Sequence, residues 1–432
     1  MKNQKILILS YYFPPSNFVG GERINGWAKN LHEFGFYPII ITRKWNNNQI
    51  DINDVENNKL EINHYGTYEV HRLPIKKGLK NFIAKYPKLF ILRKGLTFFE
   101  LLFSNFFISS TPFSNFYNYS KKIIINDKSI NTVIISGRPF HAFHIGYKLK
   151  KEFNILWIPD YRDEWNSHNN IANDKLLGKL FNYLEKKSEV KWLSNADFFL
   201  SVSNSCVNSI NKLIDKKGFV VMNGYDKVIK TKLKKKNKSD NLIITYAGTL
   251  YSYQNIETII ETIKSLDPEE IKKIKLFFIG VNVVPKQLVR VKNLSKGFEE
   301  NFITLDRMPK EKLVEYMCDS DMLFLTSYEK NTGWIPVKLF EYYSSDIPIL
   351  LCPSDKGEME KFILNSSSGY VANNMIECQE ILKKLIKEKS KNGYLKLENK
   401  VLIDEKYSRK FQTKILSQIL FKALKDHSLK QK

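Results

Sequence analysis

Two doubly wound α/β units followed by a closing helix are what this sequence predicts, and three observations carry the expectation. The chain has 432 residues, beyond the ~250 to 300 at which a single hydrophobic core stops growing. Short apolar runs alternate with segments of helical period in two separate series, the signature of parallel sheets covered on both faces. Between the series lies KVIKTKLKKKNKSD, residues 227–240, lysine-rich and nearly free of core residues, which suits an exposed linker.

In the first series the strand candidates are KILILS from Lys5, YPIIIT from Tyr37, TVIIS from Thr132, ILWIP from Ile155, DFFLSV from Asp197 and FVVM from Phe219. The second series contains LIITYAG from Leu242, KLFFIG from Lys275, NFITL from Asn301, DMLFLTS from Asp321 and IPILL from Ile347. Residues 1–226 and 241–404 are therefore expected as two domains. Beyond Tyr407, Phe411, Ile415, Ile419, Leu420 and Leu424 recur at helical spacing, so residues 405–432 are expected as an amphipathic helix able to pack back on the first domain. Residues 72–126 interrupt the rhythm with a stretch dense in lysine and aromatics. It reads either as core-facing helices or as a basic, amphipathic surface for a membrane interface.

With 43% hydrophobic and 26% charged residues, the chain is globular and able to bury real cores. A formal charge of +23 favours anionic partners, whether nucleic acid, anionic lipid or phosphorylated small molecules. Lysine is abundant throughout, however, and a general compositional bias accounts for many such residues without any partner. Cys206, Cys318, Cys352 and Cys378 stand far apart with no CxxC pair, as expected of reduced thiols in a cytosolic protein. The apolar run from Ile6 to Leu9 is shorter than a signal peptide's core. LFILRKGLTFFELLFSNFFI, residues 89–108, is broken by Arg93, Lys94 and Glu100, against the roughly 18 uninterrupted apolar residues of a spanning helix. Neither export nor a membrane span is expected.

Several short stretches carry chemistry. After the first strand, Gly20 and Gly21 precede a helix beginning near Glu22. A glycine loop feeding a helix presents backbone N–H groups to an anion, and is equally ordinary turn chemistry. It is neither GxGxxG nor GxxxxGKS, which argues against a dinucleotide oxidoreductase and a P-loop NTPase. SGRPFHAFHIGYKLKKEFNILWIPDYRDEW, residues 136–165, joins two strand ends and gathers His141, His144, Asp160, Arg162 and Asp163 where open α/β sheets hold their ligands. From Gly333, GWIPVKLFEYYSSDIPILL sets Lys338 and Glu341 three residues apart, neighbours on a helix. They form either a surface salt bridge or a cation for phosphate beside a carboxylate for sugar hydroxyls. Asp319, Ser320 and Asp321 are read as capping and turn residues before a buried strand, not as a metal pair. No catalytic metal or cofactor is expected.

The pattern SxRPFHxFHIxxxLKK, an apolar strand, then PDYRDEW resembles the first-domain signature of bacterial GT-B glycosyltransferases of family 4. NGYD at residues 223–226 resembles the segment joining their two domains, and GWIPVKLFEYYSSDIPIL resembles their nucleotide-sugar motif. The likeness runs from the glycine loop through Gly369, and the basic, aromatic insert matches poorly. It implies two facing Rossmann-like domains, the GT-B fold, and metal-free transfer with retention of configuration. It further implies that Glu341 accepts hydrogen bonds from the ribose hydroxyls, that Lys338 faces the diphosphate, and that Arg307 and Met308 lie near the base. Gly20 and Gly21 are implied on the phosphate or acceptor side, and Gly248, Thr249 and Leu339 complete the nucleotide-sugar set. His144, Asp160 and Arg162, with Lys338, are the implied catalytic residues.

Two departures bear on the chemistry. Where the family often carries a first glutamate, eight positions before Glu341, stands Gly333. Where many members have an arginine and a lysine after the second domain's first strand, Gly248 is followed by Thr249 and, further on, Gln254. Neutralising a diphosphate would then fall on Lys338 and helix N-termini. The expected protein is a cytoplasmic glycosyltransferase, peripheral at the inner face of the cell membrane. It would move a sugar from a nucleoside diphosphate to a surface-glycan acceptor, lipid-linked, with no nucleic-acid partner. A GT-B sugar-nucleotide epimerase, which would act without an acceptor, is one rival. A non-catalytic basic nucleic-acid-binding protein, with strongly salt-dependent binding, is the other.

Overall fold

The structure, a computed structural model, describes residues 3–16, 18–45, 59–74, 95, 103, 106–108, 111, 113–166, 176–229, 241–328, 333–393, 395 and 403–429. The chain divides into two units, Met1–Met222 with Arg409–Lys432, and Asn223–Ser408.

In the first unit β1 (Gln4–Ser10), β2 (Phe36–Arg43), β3 (Glu61–His64), β4 (Glu69–Leu73), β5 (Thr132–Gly137), β6 (Leu156–Tyr161), β7 (Phe199–Ser201) and β8 (Gly218–Val220) form one sheet in the order β3-β4-β2-β1-β5-β6-β7-β8. Only the β3–β4 pair is antiparallel. Successive side chains point to opposite faces, so each apolar run feeds two cores. Leu7, Leu9, Val133, Ile135 and Trp157 pack on one side, and Ile6, Ile8, Ile134 and Ile158 on the other. The helix Arg409–Leu429 places Leu416 and Leu420 in that second core. It lies close to the helix Glu22–Asn30, because a side chain at Gly26 would stand 2.9 Å from Cδ of Arg409.

The edge strand β3 and its neighbour β4 went unread in the sequence, and residues 114–126 form a helix that buries Phe116 and Ile124. The interruption expected over 72–126 is therefore bounded by Leu73 and Ser114. Lys76, Lys77, Lys80, Lys85, Lys88, Arg93 and Lys94 lie outside the described residues, as do residues 230–240 of the expected linker.

Asp160 requires a correction. It is the penultimate residue of β6, at the strand end as expected, but at 0% exposure it is enclosed rather than open to a cleft. Arg23 donates from Nε and Nη2 to its Oδ1 at 3.1 and 2.9 Å, and Ser136 Oγ donates to Oδ2 at 2.9 Å. Arg23 Nη1 also donates to the carbonyls of Val221 and Met222 at 2.6 and 3.0 Å. A carboxylate so enclosed holds the fold together and touches no reacting atom.

The second unit contains β9 (Leu242–Ala247), β10 (Ile274–Ile279), β11 (Phe302–Leu305), β12 (Met322–Leu325), β13 (Ile349–Leu351) and β14 (Gly369–Val371), all parallel, in the order β11-β10-β9-β12-β13-β14. Its core joins Ile244, Tyr246, Leu276, Phe278 and Phe324 to Cys378, Leu382 and Leu385 of the helix Met375–Asn392. Asp321 accepts from the Ile243 N–H at 2.9 Å and from Lys389 Nζ at 2.7 Å. Both of its oxygens are thus engaged within the protein.

Truncating Asp160→Ala leaves the buried Arg23 guanidinium without its counter-charge, and breaking such a pair costs about 3 to 5 kcal/mol. Chemical denaturation should show the first unit destabilised by that order. A loss below about 1 kcal/mol would mean that the pair does not hold the sheet to its first helix.

Candidate functional site

Within the second unit the strand order reverses at β9, with β10 and β11 stepping to one side and β12, β13 and β14 to the other. Such a reversal opens a crevice at the carboxyl ends of the central strands. Gly248 follows β9 with φ of 113°, a left-handed conformation that only glycine adopts readily. Its N–H donates to the Ile279 carbonyl at 2.8 Å, closing the turn against β10 and committing that amide to the sheet.

Lys338 lies under this turn, on the helix Val337–Tyr343 that follows β12. Its Nζ would be 3.4 Å from a side chain at Gly248. The ammonium donates to Tyr246 Oη at 2.8 Å and sits 4.1 Å from the centre of that ring. Tyr246 Oη in turn donates a hydrogen bond to the Thr249 carbonyl at 2.9 Å. Gln254 is buried, accepting from the Tyr251 N–H at 3.0 Å, and Tyr246 Oη stands 3.3 Å from its Oε1. Desolvation lowers the Lys338 ammonium to about 7, and the nearby Glu341 charge opposes the shift. The side chain is only partly buried by area, so solvent moderates the effect, but its direction follows from the aromatic wall.

Glu341 does not pair with Lys338. Its Oε1 accepts from Lys310 Nζ at 3.0 Å, which leaves further acceptor positions on a half-exposed carboxylate. Arg307 and Met308 follow β11, on the side of the crevice away from β12, and the Arg307 N–H donates to Asn282 Oδ1 at 3.0 Å. Leu339 is corrected: it is wholly buried, and its side chain serves the core. The helix carrying Lys338 has seven residues, and the helix Glu257–Lys264 begins nine residues beyond Gly248. Little charge is therefore available from helix ends at this turn, and Lys338 is the cation that stands beside it.

The first unit has its own reversal between β1 and β5. There Gly20 admits the Arg162 guanidinium, whose Nη1 would lie 1.9 Å from a side chain at that position, and a side chain at Gly21 would lie 3.1 Å from the Phe13 backbone. These glycines serve close packing, with Arg162 lying over them. Arg162 and Arg138 flank Asp163 at 3.7 and 3.6 Å. His144 is displaced from its expected role: it is buried, with its ring stacked at 4.7 Å on Trp192. Burial pushes the neighbouring His141 down to about 4, so that imidazole is neutral at pH 7. Glu189 is fully enclosed, and burial raises it to about 7 even though Tyr161 Oη and Asn166 Nδ2 donate to it at 2.7 and 2.9 Å. It anchors the segment that bears Arg162.

Sequence reasoning missed Tyr246, Lys310 and Arg23. Tyr246 left one signal, a tyrosine one residue before Ala247 and Gly248 at the end of a buried strand.

Comparison with known proteins completes the picture. Residues 228–401 match the family model described as glycosyl transferases group 1. An uncharacterized glycosyltransferase of Methanocaldococcus jannaschii is 24% identical over 344 residues, covering 76% of each chain. Sucrose-phosphate synthase of Thermosynechococcus elongatus superposes with a TM-score of 0.66 at 14% identity, over 98% of this chain and 100% of its own. Anabaena HepE, solved with UDP and glucose, gives 0.62 at 10% identity, over 97% and 100%. The fold is GT-B over the whole chain, residues 228–401 are a glycosyl transferases group 1 domain, and the protein is a glycosyltransferase.

Proposed function

We propose that the protein takes a sugar from a nucleoside diphosphate, with retention of configuration, and passes it to a lipid-linked surface glycan. One observation supports the donor class above others. Lys338 places an ammonium beneath the Gly248 turn at the crevice, donating to a phenol, with no carboxylate at ion-pair distance among the described residues. A partly desolvated cation without a counter-ion is costly, and a diphosphate would relieve that cost.

The chemistry follows from charge. As the glycosidic bond of the donor breaks, negative charge collects on the departing diphosphate, and a preorganised ammonium stabilises that charge more than the ground state. Glu341 has acceptor positions for the ribose hydroxyls, and Arg307 and Met308 lie on the β10 and β11 side where a base would extend. The relative solved with UDP and glucose and the resemblance in the motif agree with this donor. Retention rests on the resemblance to family 4.

Nucleoside diphosphates screened by thermal shift identify the base, since a ligand at 100 times its Kd adds about 2.7 kcal/mol. Calorimetry with the best of them should then show Lys338→Ala weakening binding by roughly tenfold or more. Binding needs the protonated amine, so wild-type affinity should fall as pH rises through about 7, and the Lys338→Ala protein should lack that slope. Glu341→Gln should weaken binding without lowering the melting temperature. Unchanged affinity in both variants would remove the assignment.

The lipid-linked acceptor requires a membrane surface, and no described helix is long and apolar enough to cross a bilayer. Phe103, Phe106 and Phe107 are about half exposed, at 47%, 55% and 56%, and in the sequence they follow a lysine-rich stretch, residues 76–94. Each such cation near anionic lipid contributes roughly 1 kcal/mol. Replacing Lys76, Lys77, Lys80, Lys85 and Lys88 with glutamine should abolish sedimentation with phosphatidylserine vesicles and spare nucleotide binding. If wild-type protein ignores those vesicles at low salt, the peripheral location is wrong.

A further inference from the structure

Beside Lys338, on the β12 side of the crevice, four aromatic rings are gathered from two separate stretches of the second unit. Tyr251 and Tyr253 come from the turn after β9, and Tyr328 and Trp334 come from the connection between β12 and the helix bearing Lys338. Tyr251 and Tyr253 lie parallel at 5.4 Å. Tyr253 meets Tyr328 at 6.0 Å and Trp334 at 6.5 Å, and Tyr328 meets Trp334 at 5.8 Å.

The cluster is fixed to the cation. Gln254 holds the Tyr251 N–H and lies against the same Tyr246 hydroxyl that receives Lys338, and it forms an antiparallel bridge to Tyr328. Arg290 braces the turn from behind through the carbonyl of Gln254 at 3.0 Å and the Glu257 carboxylate at 2.6 Å. Despite this bracing, Tyr251 and Tyr253 remain 42% and 36% exposed, with the buried Tyr328, at 8%, backing them. A rigid aromatic surface left open beside a phosphate-binding cation is suited to contact a ligand.

Given the donor reading above, on which this step rests, the diphosphate lies over the end of β9 and the base extends toward β10 and β11. The transferred sugar then falls on the β12 side, against these rings. We infer that the aromatic shelf formed by Tyr251, Tyr253, Tyr328 and Trp334 is the donor-sugar subsite and selects a sugar with an unbroken apolar face, of the 6-deoxyhexose class. Aromatic faces carry negative potential that attracts the weakly positive C–H groups of a pyranose. An extra hydroxyl on that face would lose its water without gaining a partner. Discrimination by such a surface is moderate: a site lined with apolar groups separates substrates differing by one small group by about 10- to 100-fold.

The test compares UDP-glucose, UDP-N-acetylglucosamine and GDP-mannose, each with its 6-deoxy counterpart and with free UDP or GDP, by calorimetry on the full chain. For the base that binds, the 6-deoxy sugar should bind at least about tenfold tighter than its hydroxylated partner. Tyr253→Ala should erase that preference while leaving the affinity for the free diphosphate unchanged, and Tyr253→Phe, which keeps the ring, should retain it. Equal binding of the two sugars, or a preference that survives Tyr253→Ala, overturns the shelf while the diphosphate data leave the Lys338 reading standing. If Tyr253→Ala weakens the free diphosphate as much as the sugar conjugate, the rings hold the base and the sugar assignment falls. Failure of any nucleoside diphosphate to bind removes the donor reading and this inference with it.

Discussion

Arg23 reaches Asp160 across 137 positions of sequence, and both side chains are shut away from water at 1% and 0% exposure. A buried guanidinium has five donors to satisfy, and here they go to one carboxylate and to the carbonyls of Val221 and Met222. The pair thereby fixes the start of the first helix to β6 and to the end of β8. Once that helix is placed, Gly20 and Gly21 immediately before it are placed as well, and so is Arg162, two residues beyond Asp160, packed over Gly20. The geometry at the carboxyl edge of the first sheet thus follows from an ion pair that takes no part in the chemistry.

The second unit divides the same two tasks between two lysines. Lys389 is buried and meets Asp321 at 2.7 Å, so its charge is cancelled inside the protein. Lys338 meets a phenol, and its ammonium is lowered to about 7. A neutral hydroxyl orients an ammonium without neutralising it, so the local field at the Gly248 turn stays positive. The net charge of +23 supplies a long-range attraction for anions. Lys338 adds to this general attraction a cation held in a fixed place by Tyr246.

The sequence made legible what depends on local pattern. Continuous apolar runs such as KILILS and LIITYA announced central strands because both of their faces are buried. The edge strands β3 and β14 carry EINH and GYV, in which no apolar run survives because edge strands bury less, while β4, with EVHRL, lies inside the sheet and buries the polar His71 and Arg72. The spacing of Lys338 and Glu341 was visible, but their partners were not: Tyr246 is 92 positions away and Lys310 is 31. Asp160 was misread for a related reason. PDYRDEW does mark the end of β6, but the register with β5 sets Ser136 opposite Asp160 and Arg23 closes over it, which no local pattern reveals.

The same logic explains why the glycines mean different things in the two units. At Gly248 the backbone must turn with positive φ while an ammonium sits 3.4 Å from the missing side chain, so the residue keeps a charged surface accessible. At Gly20 the space is already filled by Arg162, and at Gly21 by the Phe13 backbone. A glycine loop before a helix is therefore insufficient to define an anion site. What distinguishes the two cases is whether the space left by the absent Cβ faces a committed group or an unneutralised cation. In this chain that difference leaves Lys338 as the unneutralised cation at the edge of the second sheet and Arg162 as the charged group over the glycines of the first.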